Sequence, residues 1–378
     1  MSNQIYLDYA ATTPLAEEVN KAMYEFGRKD IGNPSSPHRY GQQAKIYIEV
    51  ARDLIAASLN CKTGEVVFTS GGTESNNLAI IGASYGSDSG KRHIIISGVE
   101  HPSVLDTAEF LKKFGYEISI VNPDTDGSLS GKSIAPALRD DTILISVMIV
   151  NNETGIIHNI EDISKICRDN QILLHCDGIQ AYGKISIDFN KSGIDLLSVS
   201  AHKIHGPKGI GALIVKKGTP FSNIHFGGGQ EANRRPGTEN LGGIVGFGEA
   251  IKLLSGNAAK TEAVHKLQEY FENNLKSAVP GTNIIGAGIK RSPYISAIAF
   301  PGINNESMLM NLDLAGIAVS VGSACSSGSI QHSHVLQAMN LPEEIIKSAV
   351  RFSYGRYTKL EELKRTINTI KKITERLI

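Results

Sequence analysis

The stretch Ser198–Gly211, SVSAHKIHGPKGIG, puts Ser200, His202 and Lys203 directly behind an apolar run, Ile194–Val199. A lysine at the end of a buried strand, beside a hydroxyl and an imidazole, is suited to holding an aldehyde cofactor as a Schiff base. Lys208 competes for the role, but it lies beyond the Gly-Pro turn, where a surface lysine is expected, so Lys203 is preferred. Far downstream, Cys325 sits in SVGSACSSGS, among Ser, Ala and Gly rather than in an apolar repeat. Such neighbours leave a sulfur accessible. A carbonyl-reactive lysine with an accessible thiol points to pyridoxal phosphate (PLP) chemistry on a sulfur-containing amino acid.

Other residues extend this chemistry. SGGTES (Ser70–Ser75) follows a strand and opens a helix, where exposed amides and a hydroxyl favour a phosphate. The same residues also suit a tight turn with an N-cap, and no lysine follows at the Walker A spacing. Asp177 ends ILLHCD; a buried carboxylate there needs a cation such as a pyridinium nitrogen, or else caps a turn. His101, in VEHPSV, can stack on a planar ring and move protons near neutral pH, or serve structurally. Arg351, in SAVRFS, can grip a carboxylate with two parallel hydrogen bonds. Arg356 is its rival, and a surface ion pair is the plain alternative for both.

These residues need strand ends to carry them. After two helical stretches, Ala16–Lys29 and Gln42–Leu59, strands and helices alternate. Strands are expected at Glu65–Thr69, His93–Ser97, Tyr116–Val121, Ile143–Val150 and Ile172–Cys176, with helices at Thr73–Ala83, Ser103–Phe114, Ser130–Arg139 and Ile160–Asn170 between them. Continuous Val/Ile/Leu strands separated by helices predict an α/β fold with a mostly parallel sheet covered on both faces. Ligands then bind beyond the carboxyl ends of the strands, where Gly72, Thr73, His101, Asn152, Asp177 and Lys203 fall. After about Gly256 the pattern changes. A long helix (Thr261–Ser277), strands at Asn283–Ile285, Tyr294–Phe300 and Ala349–Ser353, a helix at Glu306–Leu314 and an amphipathic closing helix predict a smaller α+β domain. The expected division is 15–256 for the large domain, and 1–14 with 257–378 for the small one, which carries the Cys325 loop at about 321–333.

With 378 residues, the chain is long enough for two domains. Lys plus Arg equals Asp plus Glu at 38 each, so charge gives no argument for direct DNA or membrane binding. No apolar run approaches the ~18–20 residues of a membrane span. The N-terminus MSNQIYLDYAATTP lacks a basic region followed by an apolar core, so no secretory signal is expected and the expected location is the cytoplasm. The cysteines Cys61, Cys167, Cys176 and Cys325 fit no paired metal-ligand spacing, and Cys167 and Cys176 read as buried structural residues.

Taken together, the motifs resemble those of the NifS/IscS-type cysteine desulfurases, in the class V aminotransferase branch of fold-type I PLP enzymes. The resemblance runs through YLDYAATTP (6–14), GNPSS (32–36), TSGGTESNNLAI (69–80), EHPSVLDT (100–107), NNETG (151–155) and HCDGIQAYGK (175–184). It continues through SAHKIHGPKGIG (200–211), GGGQEANRRPGTEN (227–240), GSACSSGS (322–329) and RFSYGR (351–356). It implies a large domain built on a seven-stranded, mostly parallel sheet plus a smaller α+β domain. It makes Lys203 the Schiff-base lysine, pairs Asp177 with the pyridine nitrogen, bonds Gln180 to the ring oxygen and stacks His101 on the ring. Gly72, Thr73, Ser200 and His202 would hold the phosphate. Thr238 would reach the phosphate of the other subunit of a homodimer. Asn152 would contact ring or substrate, and Asn33 and Arg351 the substrate carboxylate.

Cys325 would take sulfur from L-cysteine as a persulfide, leaving L-alanine. The implied acceptors are an iron–sulfur scaffold or a tRNA- or cofactor-thiolation relay. The sequence ends at Ile378 without the longer tail of the housekeeping desulfurases that dock a scaffold, and Ala201 stands where some relatives have Gly. The rival readings are a selenocysteine lyase, a class V aminotransferase that would not need Cys325, and a catalytically silent scaffold.

Overall fold

The computed structural model describes residues 4–29, 31–87, 90–254, 257–322 and 332–377. Cys325 and most of its loop therefore lie outside the described residues. A short strand β1 (Ile5–Tyr6) precedes helices α1 (Glu17–Lys29) and α2 (Arg39–Leu59). The alternating region follows: β2 (Val66–Thr69), α3 (Gly72–Gly86), β3 (His93–Ser97), α4 (Pro102–Lys112), β4 (Glu117–Val121), α5 (Gly131–Ile134), β5 (Thr142–Ser146), α6 (Ile160–Asp169), β6 (Leu173–Asp177), α7 (Phe189–Ser192), β7 (Leu196–Ser200) and β8 (Gly211–Val215). These strands form one seven-stranded sheet in the order β2-β8-β7-β6-β5-β3-β4. Only β8 runs against its neighbours, pairing antiparallel with both β7 and β2.

The side-chain period of two divides the sheet between two apolar clusters. Ile94 and Ile96 face α3 and α4, whereas Ile95, Leu174 and Val199 face the layer containing α2, α6 and the next helix, α8 (Leu241–Lys252). Burial on both faces explains the continuous Val/Ile/Leu runs. The edge strand β4 is half exposed and correspondingly alternates polar with apolar residues.

After α8 come α9 (Asn257–Ala278), β9 (Asn283–Ile284), β10 (Ile295–Ala299), α10 (Asn305–Leu314), β11 (Ile317–Ala318), α11 (His334–Ala338), α12 (Glu343–Ser348), β12 (Ala349–Ser353) and α13 (Leu360–Leu377). Strands β12-β10-β9 form an antiparallel sheet, and β1 pairs in parallel with β11. A third apolar cluster joins Ile5, Leu7 and Ala10 to Phe271, Ile298, Phe352 and the inner stripe of α13, including Leu363, Ile367 and Ile370. This return of the N-terminus leads the chain from β1 towards the carboxyl edge of the large sheet.

The short elements β1, α7, β11, α11 and α12 were not expected, and three longer stretches also differ from the sequence expectation. The strand expected over Ile143–Val150 ends at Ser146, although Val147 and Ile149 still donate to the carbonyls of His175 and Asp177. The intervening Met148 amide turns to the Glu100 carboxylate at 2.6 Å instead of to a neighbouring strand. The helix expected over Ser130–Arg139 shrinks to α5 and a short 3₁₀ turn containing Pro136, which supplies no amide hydrogen. Helix α8 was not expected, because its LGGIVGFGEAIK composition is rich in poor helix formers. Its glycines are used in packing: a Cβ on Gly248 would lie 3.1 Å from the Ala51 Cβ of α2.

Candidate active site

Residues at or beyond the ends of β3, β6 and β7, the start of α3 and the N-terminal strap lie at the carboxyl edge of the large sheet. Strand β6 ends at Asp177, which is 4% exposed. Its Oδ1 accepts the Ile179 amide at 2.9 Å and its Oδ2 accepts Asn76 Nδ2 at 2.8 Å. Burial raises its pKa from the usual aspartate value, opposed by those two hydrogen bonds and by His101 and Lys203. Such a carboxylate is poised to receive a cation.

His101 caps α4, with Pro102 fixing the first helical position. Its Nδ1 receives the Ser103 amide at 3.1 Å and lies 2.8 Å from Ser103 Oγ, which itself accepts Asn76 Nδ2 at 2.9 Å. Because Nδ1 accepts from an amide, the neutral ring carries its hydrogen on Nε2. Burial lowers the His101 pKa; Asp177 acts against that, and Lys203 and His334 add to it. A neutral imidazole near pH 7 can both give and take a proton. Behind it, Glu100 is pushed well above the usual carboxylate range by burial and by Asp177.

The phosphate end is built at α3. Gly71, at φ 152°, occupies the N-cap and gives the helix no side-chain cap, so its first amides stay open to a ligand. Ser200 ends β7, and its buried Oγ has no hydrogen-bond partner. A Cβ on Gly71 would stand 4.0 Å from that oxygen. Open helix amides beside an orphan hydroxyl fit a phosphate group, and buried Asp177 fits the pyridinium end of the same cofactor. The residues present therefore fit PLP: Gly72, Thr73, Ser200 and His202 would hold its phosphate, and Asp177 and Gln180 its ring. Ser200→Ala should weaken PLP binding to the apoprotein about tenfold, the value of one hydrogen bond to a charged group, as read by fluorescence titration.

Lys203 lies in the short turn after β7. Its Nζ donates to the carbonyls of Ala10 and Ala11, at 2.5 and 2.8 Å. The DYAATTP strap is fixed there by Thr13, which donates from its amide and its hydroxyl to the His202 carbonyl at 3.0 and 2.9 Å. His202 Nδ1 lies 3.1 Å from Thr12 Oγ1, and burial lowers its pKa to about 4. Lys208 is exposed, as its place beyond the turn suggested. Gln180 is buried, its Nε2 donating to the Ala10 carbonyl at 2.8 Å.

Arg351 is buried on β12. It donates to Asp8 Oδ1 at 2.8 Å and to the Asn152 carbonyl at 3.0 Å, leaving Nε without a partner. A substrate carboxylate there would have to compete with Asp8. Arg356 is exposed and pairs with Glu18 at 3.2 Å. Asn33 and Thr238 are exposed: Asn33 Oδ1 turns back on the Ser35 amide at 2.9 Å, and Thr238 lines a surface depression with Glu74 and Arg235. The Arg235–Glu74 pair, at 2.7 Å, ties that segment to the first turn of α3. Sequence reasoning assigned no role to Asn76 or to the Ala10 and Ala11 carbonyls. Asn76 was legible as the residue one helical turn beyond Gly72, on the face turned to the sheet.

The chain is similar to several known proteins. The chain is 44% identical over 378 residues to "Cysteine desulfurase IscS" of Dictyoglomus turgidum, covering 100% of this chain and 96% of that one. It is 42% identical over 376 residues to "Putative cysteine desulfurase IscS 1" of Bacillus subtilis, covering 99% of each. A solved structure titled "NIFS-LIKE PROTEIN" superimposes with a TM-score of 0.92 at 33% identity, covering 98% of this chain and 99% of that one. Residues 5–366 match the family described as Aminotransferase class-V, and to that family the chain belongs.

Proposed function

We propose that the chain is a PLP-dependent cysteine desulfurase that converts L-cysteine to L-alanine and passes the sulfur to Cys325 as a persulfide. The observation that carries this reading is the convergence of Lys203, Asp177, His101 and the orphan Ser200 Oγ at one edge of the sheet. The desulfurase names of the full-length relatives support it. Bound PLP supplies an electron sink for negative charge developing at the substrate Cα. Lys203 would take the Cα proton at Nζ. Asp177 holds the ring nitrogen protonated, and His101 moves a proton at Nε2. Arg351, through Nε and by exchange with Asp8, orients the substrate carboxylate together with Asn33; Asn152 lies beside it. The Cys325 thiolate attacks the substrate sulfur: a sulfur–sulfur bond forms, the substrate carbon–sulfur bond breaks, and the sum is cysteine plus thiol giving alanine plus persulfide.

The finer readings belong to the same proposal. A division into 15–256 and 1–14 with 257–378 is supported by the apolar cluster joining residues 5–10 to 264–373, although α11 and α12 pack on the large-sheet core. A homodimer in which Thr238 reaches the partner's phosphate is supported by the exposure of Thr238 next to the α3 anchor. No helix among the described residues is long and apolar enough to cross a membrane, and a cytoplasmic site is proposed. Delivery to an iron–sulfur scaffold or a thiolation relay belongs to the same reading, and the IscS names of the relatives are consistent with sulfur transfer to an acceptor protein.

The reading is tested by incubating the holoenzyme with L-cysteine and a dithiol reductant. Equal amounts of alanine and sulfide are expected. A keto acid formed with loss of the bound PLP chromophore would mean an aminotransferase instead.

A further inference from the structure

A second lysine stands behind the first. Lys184 closes the turn that starts at Asp177, in which Ala181 and Tyr182 donate to the Gly178 carbonyl and Lys184 and Ile185 to the Ala181 carbonyl. This winding brings residues four apart to one side. Lys184 Nζ donates to Gln180 Oε1 at 2.7 Å. The lysine is 6% exposed, and its ammonium lies 5.8 Å from the centroid of the Tyr294 ring. It borders a cavity of about 230 Å³ shared with Lys203. The other titratable residues lining that cavity are Tyr9, His205, Lys260, Tyr294, Tyr354 and Arg356, with no carboxylate among the described residues. Burial, with the like charges of Lys203 and Arg351, lowers the Lys184 pKa to about 7. A cation kept in such a place costs stability, and its one side-chain hydrogen bond is to Gln180.

The Ala10 carbonyl, which only accepts, settles which way the amide points: Nε2 faces it and Oε1 faces Lys184, whose ammonium only donates. The same carbonyl also receives Lys203 Nζ. We propose that Lys184 is a positioning residue for the PLP ring: by occupying Gln180 Oε1, it leaves only the N–H donors of that amide for the ring oxygen. The inference rests on the reading that Gln180 meets that oxygen. A donor there stabilises the oxygen's negative charge, and with it the deprotonated side of the cofactor's visible titration.

The test follows the visible absorbance of the holoenzyme against pH. Lys184→Met, which fills the space without a donor, should raise the midpoint by about one pH unit. Lys184→Gln, which restores a donor without a charge, should return it most of the way to wild type. Gln180→Leu should raise the midpoint, and Lys184→Met should add nothing in that background, because the path from Nζ to the ring runs through the amide. If Lys184→Met does not fold, Lys184→Thr, too short to reach Gln180, carries the same comparison. A wild-type midpoint in Lys184→Met beside a shifted Gln180→Leu overturns the inference alone. An equal shift by Lys184→Met in both backgrounds overturns it in favour of a direct charge effect. A wild-type midpoint in Gln180→Leu overturns it together with the reading of Gln180.

Discussion

Lys203→Ala is expected to cut alanine formation from L-cysteine by on the order of 10³-fold or more, the loss that follows removal of a positioned general base. Folding should survive, because Nζ donates to backbone carbonyls of the strap, Ala10 and Ala11, and the strap is also held by Thr13. PLP should still bind through the phosphate cradle and Asp177, but denaturation should release it without prior hydrolysis. Borohydride reduction of the wild type should fix the cofactor to the peptide containing Lys203 and should fix none in the variant. Lys208→Ala is the control: Lys208 is exposed, and activity within about twofold of wild type is expected. A reversal of the two results would move the covalent site beyond the Gly-Pro turn.

Asp177→Asn is expected to lower activity by about 10²–10³-fold while leaving the apoprotein at least as stable as wild type. The two effects have one origin. In the holoenzyme the buried carboxylate would face the pyridinium cation, and breaking a buried pair costs about 3–5 kcal/mol. Without the cofactor there is no such pair, and burial raises the folded-state pKa of Asp177 above its ordinary 3.8. Folding then favours the protonated carboxyl. That contribution is complete below the unfolded pKa and is lost as pH rises through the folded one. The stability of apo Asp177→Asn relative to apo wild type should therefore grow with pH above about 4, as read by thermal unfolding across the acidic to neutral range. PLP should stabilise the wild type far more than the variant. Equal stabilisation of both proteins by PLP would contradict the pairing.

The candidate side chains were legible because each stands at the end of a strand or just beyond it. Asp177 at the end of β6, Ser200 at the end of β7, Lys203 just beyond it and His101 beyond β3 all stand where parallel sheets place ligands. The Lys203–Lys208 choice was decided by a turn; Lys203 is half-buried and Lys208 exposed. Main-chain partners were not legible: the Ala10 and Ala11 carbonyls accept from Lys203 whatever their side chains are. Nor was the pairing of Arg351 with Asp8, which joins residues 343 positions apart. Helix α8 escaped because its glycines serve close packing rather than propensity. The end of β5 escaped because the capture of the Met148 amide by Glu100 is a tertiary event. Cys325 rests on its sequence context alone.

The most direct measurement is the alanine released from L-cysteine without reductant, counted per PLP site, in wild type and in Cys325→Ala. A burst of about one equivalent in the wild type is expected, with the sulfur found on the Cys325 peptide as a persulfide and no burst in the variant. No alanine from either protein with PLP bound, or an undiminished burst in Cys325→Ala, would contradict the account.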